Sequence, residues 1–205
     1  MWLTLRQSSP LLWDTVQLNR KKIVSTAVDI LQQYGLADLT MRRLARALDV
    51  APGALYWHFP NKQALLGGIA ESILTAVPAC PGSAADYCSF LFDALTSLRD
   101  GAEITLAAVA SDTLDRELVA ELGAELATEL NAGVVDDAVD GAVDVTEAAS
   151  KLLLRFVFGS ALELQARQGV ALSLGTAEED AGSSHRLARE DLVLGVETIL
   201  RGFSR

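Results

Sequence analysis

An all-α protein is predicted, on three observations. Only five prolines occur in 205 residues, and long stretches rich in Ala, Leu, Val and Glu make up most of the chain. Within those stretches apolar residues recur at intervals of three, four and seven, the repeat of one helix face. Between them stand residues that start and stop helices, among them Gly35, Thr40, Pro52, Asn61 and Pro78.

The totals narrow the class. Half the residues are apolar and 21% are charged, which is a globular composition. There is no uninterrupted apolar run of the ~18 residues that a membrane span needs. The first 19 residues carry one Arg and no sustained apolar core, so they read poorly as a signal peptide, and a cytoplasmic protein is expected. Cys80 and Cys88 have no second pair nearby, so they read as ordinary thiols; no metal and no cofactor is expected.

The elements follow in order. Residues 1–16 show no period, are interrupted by Ser8-Ser9-Pro10, and read as a flexible arm. From Gln17 to Tyr34 the set Leu18, Ile23, Val24, Ala27, Ile30, Leu31 and Tyr34 marks one helical face, ended by Gly35 as a C-terminal cap. Thr40 opens a second helix with Met41, Leu44, Ala45 and Leu48 inward; Arg42, Arg43 and Arg46 point elsewhere. Asp49-Val50-Ala51 turns the chain, Pro52 suits the first turn of a third helix, and Pro60 forces that helix to end by Phe59. Asn61 caps a fourth helix reaching about Val77. Residues 40–59 are thus two short helices around a three-residue turn, the helix-turn-helix arrangement.

PACPG (78–82) is the clearest break and sets the expected boundary between domains 17–77 and 78–205. Helical patterns follow at about 84–99, 103–110 and 112–131. Residues 133–145 are acidic and fit a loop or a frayed helix; Asp136, Asp137, Asp140 and Asp144 read as a solvated segment, since they lack the interleaved Gly and closing Glu of a calcium loop. The longest apolar helix is expected at 146–168, a polar loop at 175–185 with His185 on the surface, and a last helix at about 187–203.

Charge is unevenly spread. The net charge is −10, yet residues 1–70 hold eight Lys/Arg against four Asp/Glu, and residues 71–205 hold nine against 23. A basic head on an acidic body can approach nucleic acid with the head alone. The head also gathers Tyr56, Trp57, His58 and Phe59 into one turn of chain. Four consecutive helical residues cannot all face a core.

These residues carry a resemblance. LTMRRLARALDVAPGALYWHFPNKQALL (39–66) resembles the DNA-binding domain of TetR-family transcriptional repressors, with L-T-x-R-x-L-A-x-x-L-x-V followed by L-Y-x-H-F-x-x-K. The likeness covers residues 17–70. LRDGAEITL (98–106), FGSALELQ (158–165) and LVLGVETIL (192–200) look like segments of the tetracycline-repressor subgroup's C-terminal domain. The resemblance implies a homodimer on a palindromic double-stranded DNA operator, joined through helices 146–168 and 187–203 and released by a small-molecule effector held within 83–170.

It also implies roles for single residues. Thr40, Arg42, Pro52, Gly53, Ala54, Tyr56, Trp57, His58 and Lys62 would meet DNA. Arg42 matches an arginine that reads guanine. Gly53 and Ala54 leave room for close approach to the bases. Tyr56, His58 and Lys62 match phosphate clamps, while Trp57 packs on deoxyribose or stabilises the domain. Tyr87, Thr105, Phe156 and Glu163 are the expected pocket residues, Glu163 matching an acidic position of the subgroup. Pro78 and Thr105 stand where the subgroup's ligand-binding histidines would be, which speaks against tetracycline as the ligand. An enzyme is not expected: the chain lacks a Gly-rich phosphate loop, a paired metal motif and a nucleophile elbow. A DNA-binding protein that senses no ligand, or an activator, stays open as an alternative.

Overall fold

Arg20–Tyr34 form the first helix, α1, and its start is set by Asn19, whose side chain accepts from Lys22 N at 2.9 Å. Ile23, Ala27, Ile30 and Leu31 lie on its buried face. In this computed structural model residues 18–79, 81–129, 145–176 and 181–203 are described. They form nine α-helices and a short 3-10 turn at Leu36–Asp38, with no strand among the described residues. The expected arm (1–16) and the segment 133–144 lie outside them.

The head is built from α1, α2 (Met41–Ala47), α3 (Pro52–Tyr56) and α4 (Lys62–Leu74). Side-chain caps hold two of these starts: Thr40 Oγ1 accepts from Arg43 N at 3.1 Å, and Asn61 Oδ1 from Ala64 N at 2.8 Å. The remaining helices are α5 (Ala84–Thr96), α6 (Gly101–Ala110), α7 (Leu118–Glu129), α8 (Val145–Leu174) and α9 (Ala181–Phe203). Here α4 packs on α1, α5 and α6, α5 touches every helix from α6 to α9, and α8 lies against α5, α6, α7 and α9. One continuous apolar cluster runs from Ile23, Leu44, Leu55 and Phe59 through Leu65 and Ile69 to Leu91, Phe92, Leu153, Val157 and Val196. Each such side chain contributes roughly 1.5–3 kcal/mol by leaving water.

Three sequence expectations are corrected. The helix expected from 112 begins at Leu118, because Asp112 sits at φ 53° and Thr113 N turns back to Ala108 O. The long helix runs on to Leu174, and α9 begins at Ala181, inside the stretch expected to be a loop. His185 is therefore helical and half-buried, with Nε2 3.0 Å from Thr96 Oγ1 and its ring 5.6 Å from that of Phe92.

The corner after α1 ties the head to the body. Gly35 has φ 82° and ψ 175°, a region open essentially to glycine. The Arg99 guanidinium lies over it, so an added Cβ would stand 3.0 Å from Nη2. Next to it Leu36 N donates to Asp100 Oδ2 at 2.6 Å, and Asp100 itself is left-handed at φ 61°. Gln165 of α8 holds the same corner: its Oε1 accepts from Ala102 N, and its Nε2 donates to Leu95 O and Leu98 O. Gly35→Ala is expected to destabilise the protein by about 2 kcal/mol, seen as a fall of roughly 4–8 °C in Tm. An unchanged Tm would show that the backbone relaxes freely there.

Candidate nucleic-acid interface

The turn between α2 and α3 needs one unusual residue. Asp49 takes φ 53°, which lets Val50 N reach Ala45 O at 3.0 Å and aims α3 away from α2. Aspartate tolerates this conformation better than most side chains. Pro52 then fills the first position of α3, where its missing N–H goes unnoticed. A helix of five residues does not hold itself together. Leu55 and Phe59, both fully buried, fix it to the core.

Phe59 is gripped from two sides. Gly68 of α4 lies against it, where an added Cβ would come within 2.8 Å of Cε1. The Arg20 guanidinium stacks over its ring at 4.2 Å from the centroid. Arg20 Nη1 also donates to His58 O at 2.6 Å, so the start of α1 sets the end of α3. A second stack braces α2: Arg43 lies 3.7 Å over the Tyr34 ring and pairs with Asp38 at 2.6 Å. At partly exposed sites each cation–π contact adds about 0.5–1 kcal/mol.

With Leu55 and Phe59 inward, their neighbours face out. Trp57 is 89% exposed and Tyr56 49%. Pro52 and Gly53 are exposed, while Ala54, His58 and Lys62 are half-buried. On α2, Thr40 and Arg42 are exposed and share a surface groove with Arg43 and Arg46. All nine residues expected to meet DNA are thus open to solvent to some degree. Trp57, undecided from the sequence, contributes little to the core at such exposure. Arg20 was missed as a site residue. Its signal was the Arg20-Lys21-Lys22 run at the start of α1, which a charge count registers without showing that it lies beside His58.

The four expected pocket residues do not gather. None lines any of the four cavities described for the chain. Thr105 is buried, and its hydroxyl donates to Gly101 O at 2.8 Å. Phe156 packs against α9 at Gly195. Glu163 is exposed and pairs with Arg167. Tyr87 is buried, and its hydroxyl donates to Glu121 Oε2 at 3.0 Å.

That last bond belongs to a polar cluster in the body. Arg116 Nε donates to Glu121 Oε1 at 2.9 Å, its Nη2 bonds Glu121 Oε2, and its Nη1 donates to Leu74 O at 2.6 Å. The hydrogen bonds from Arg116, then burial working against them, then that from Tyr87, leave the Glu121 carboxyl below its usual range. The Arg116 guanidinium is held more firmly charged, first through its bond to Glu121. Burial, then the Glu121 charge, drives the Tyr87 phenol above its normal range; burial, then Glu129, pushes the Cys88 thiol up to about 12. Cys88 is therefore an unreactive core thiol at neutral pH.

Comparison with known proteins supplies the family. The model described as "Bacterial regulatory proteins, tetR family" matches residues 23–69. BioQ of Mycobacterium smegmatis is 37% identical; the match covers 89% of this chain and 99% of that one, with a TM-score of 0.67. The chain belongs to the TetR family. BioQ crystallised with its double-stranded DNA operator is similar over 87% of this chain and 99% of that one, at 36% identity and a TM-score of 0.61. The Streptomyces coelicolor TetR-family protein ActR, crystallised with (S)-DNPA, is 27% identical over 91% of this chain and 96% of its own, with a TM-score of 0.61. The tetracycline repressor protein class C of Escherichia coli is 42% identical over 97 residues, which span 43% of this chain and 44% of that repressor. The chain thus matches less than half the length of that curated relative.

The acid side of the stability curve tests the body cluster. A depressed carboxylate stabilises the fold above its unfolded value and loses that contribution as pH falls through the folded value. The wild type is expected to lose more urea stability than Glu121→Gln between about pH 5 and pH 3. Parallel curves would show that Glu121 is not held ionised by Arg116.

Proposed function

We propose that this TetR-family protein is a ligand-responsive transcriptional regulator, acting as a repressor, which binds a palindromic operator as a homodimer. It acts by binding alone and catalyses nothing. The observation that carries the reading is the division of the helix-turn-helix by face: Leu55 and Phe59 are fully buried, while Arg42, Tyr56 and Trp57 stand exposed. That BioQ crystallises with an operator, and ActR with a small molecule, supports both halves.

The roles follow from chemistry. Arg42 would read a guanine through the paired donors of its guanidinium. Tyr56, His58 and Lys62 would grip phosphates, and Gly53 and Ala54 would let the backbone approach the base edges. Trp57 would pack on deoxyribose. Arg20 would set the height of His58 through its carbonyl. One head offers few phosphate contacts, and a monomer would bind weakly. Two heads on a two-fold axis would read half-sites about 34 Å apart. The joining surface would come from α8 and α9, which leave Leu152, Val170, Leu187 and Leu194 exposed. Residues 17–77 would serve as the DNA-binding unit and 78–205 as the effector-binding and dimerisation unit. Such a regulator would work in the cytoplasm, where the operator is.

Gel shifts of the protein on the DNA upstream of its own gene test the reading. Arg42→Ala is expected to cost about 1–3 kcal/mol on the operator and much less on random DNA. Tyr56→Phe with His58→Ala is expected to leave a folded dimer whose binding falls on every sequence alike, while Lys62→Ala lowers the salt slope by about one. A wild type with no salt-sensitive preference for its upstream DNA would sink the repressor reading. Unfolding of the double variant would return Tyr56 and His58 to a structural role.

A further inference from the structure

The first turn of α3 offers almost nothing that can make a hydrogen bond. Pro52 and Gly53 are exposed there and Ala54 is half-buried. None of the three has a polar side-chain atom, and Pro52 lacks a backbone N–H as well. The Ala54 N–H already donates to Ala51 O at 2.9 Å. Polar side-chain atoms begin only with the Tyr56 hydroxyl and the Trp57 indole N–H.

With 3.6 residues per turn, Gly53 and Trp57 lie one above the other, opposite the buried Leu55. Trp57 keeps a helical backbone, at φ −69° and ψ −27°. The outermost line of α3 is therefore a glycine followed by an indole that is 89% exposed. Packing among the described residues does not require that glycine. Its φ is not positive, and an added Cβ would meet nothing within 4 Å. Glycine also weakens a helix relative to alanine, and α3 has only five residues. The missing side chain leaves a low step on the outer surface, beside the Ala54 methyl and ahead of the Trp57 indole.

Base edges differ in how they suit such a surface. In the major groove adenine, guanine and cytosine present nitrogen and oxygen atoms, whereas thymine adds its C5 methyl group. A polar edge pressed on Gly53 and Ala54 would lose water and gain no partner. A methyl group gains by leaving water. We propose that α3 reads operator methyl groups: at one or more base pairs of each half-site a pyrimidine C5 methyl sits on the Gly53 step against the Ala54 methyl, with the Trp57 indole closing the far side. In unmodified DNA that base is thymine. 5-Methylcytosine carries the same methyl at the same ring position, and the first turn of α3 holds no polar side chain to tell the two apart. The proposal rests on the operator-binding reading and names the kind of half-site that it selects.

The operator is mapped by footprinting on the DNA upstream of the protein's own gene. Each thymine–adenine pair of a half-site is then replaced, in both half-sites together, by uracil–adenine, 5-methylcytosine–guanine or cytosine–guanine. The four pairs separate the methyl group from the hydrogen-bonding pattern. At one pair or more, uracil and cytosine are each expected to lower affinity by about fourfold per half-site, the effect of one buried methyl. The 5-methylcytosine pair should stay within about twofold of the thymine pair. Gly53→Leu, with open space for its side chain, should leave circular dichroism unchanged and lower operator affinity at least about tenfold. Affinity that follows the hydrogen-bonding pattern at every pair, thymine equal to uracil and 5-methylcytosine equal to cytosine, overturns the proposal. So does a Gly53→Leu chain that binds the operator as wild type does. Uracil that weakens binding to random DNA as much as to the operator would assign the effect to the duplex itself and overturn it too. A bound operator without a methyl effect sinks this proposal alone, whereas a wild type with no preference for its upstream DNA sinks the regulator reading and this proposal with it.

Discussion

The helix α4 has no free side to give away, and the rest of the molecule is arranged around that constraint. Seven of its thirteen residues are buried, from Leu65 and Leu66 through Ile69 to Leu74. A helix that is apolar on most sides must be enclosed. Here α1 and Phe59 cover one side, and α5, α6 and the 111–117 loop cover the others. The contacts that seat the recognition helix and those that anchor the body therefore share one rod about 20 Å long. A shift of α4 cannot be absorbed by slack, because close-packed interiors switch between arrangements more readily than they stretch.

The recognition surface is a consequence of what the core takes. With five residues, α3 exists because Leu55 and Phe59 are held. Its exposed side chains inherit their orientation from that anchoring. Arg20 adds a polar restraint through His58 O and a stack on Phe59, so a cation at the start of α1 governs groups nearly forty positions later. Arg43 over Tyr34 does the same for α2. These arginines hold the surface in shape, while the Arg42 and Arg46 side chains make no hydrogen bond or ion pair among the described residues.

Much of this was legible in the chain. Caps at Thr40 and Asn61, the turn at Asp49 and the stop at Gly35 are local chemistry, and all appear where local rules put them. The acidic body was read less well. Asp112 looked like a helix start and is a left-handed turn, since three contacts from the following loop to α4 outweigh its local preference. Thr105 and Tyr87, expected from the resemblance at an effector pocket, are both buried. The Thr105 hydroxyl donates to its own helix and the Tyr87 hydroxyl to Glu121, contacts that no local spacing announces.

The sequence by itself determined the helical class and the helix-turn-helix, because periodicity, caps and turns act over a few residues. It also determined the uneven charge, which needs no fold to exist. Only the tertiary structure decided that Arg20 supports His58, that Arg99 and Asp100 lock the Gly35 corner, and that Arg116 joins α4 to Glu121. Arg20 and His58, Leu36 and Asp100, and Arg116 and Leu74 are each separated by tens of residues, and each contact depends on helix packing that no local spacing encodes.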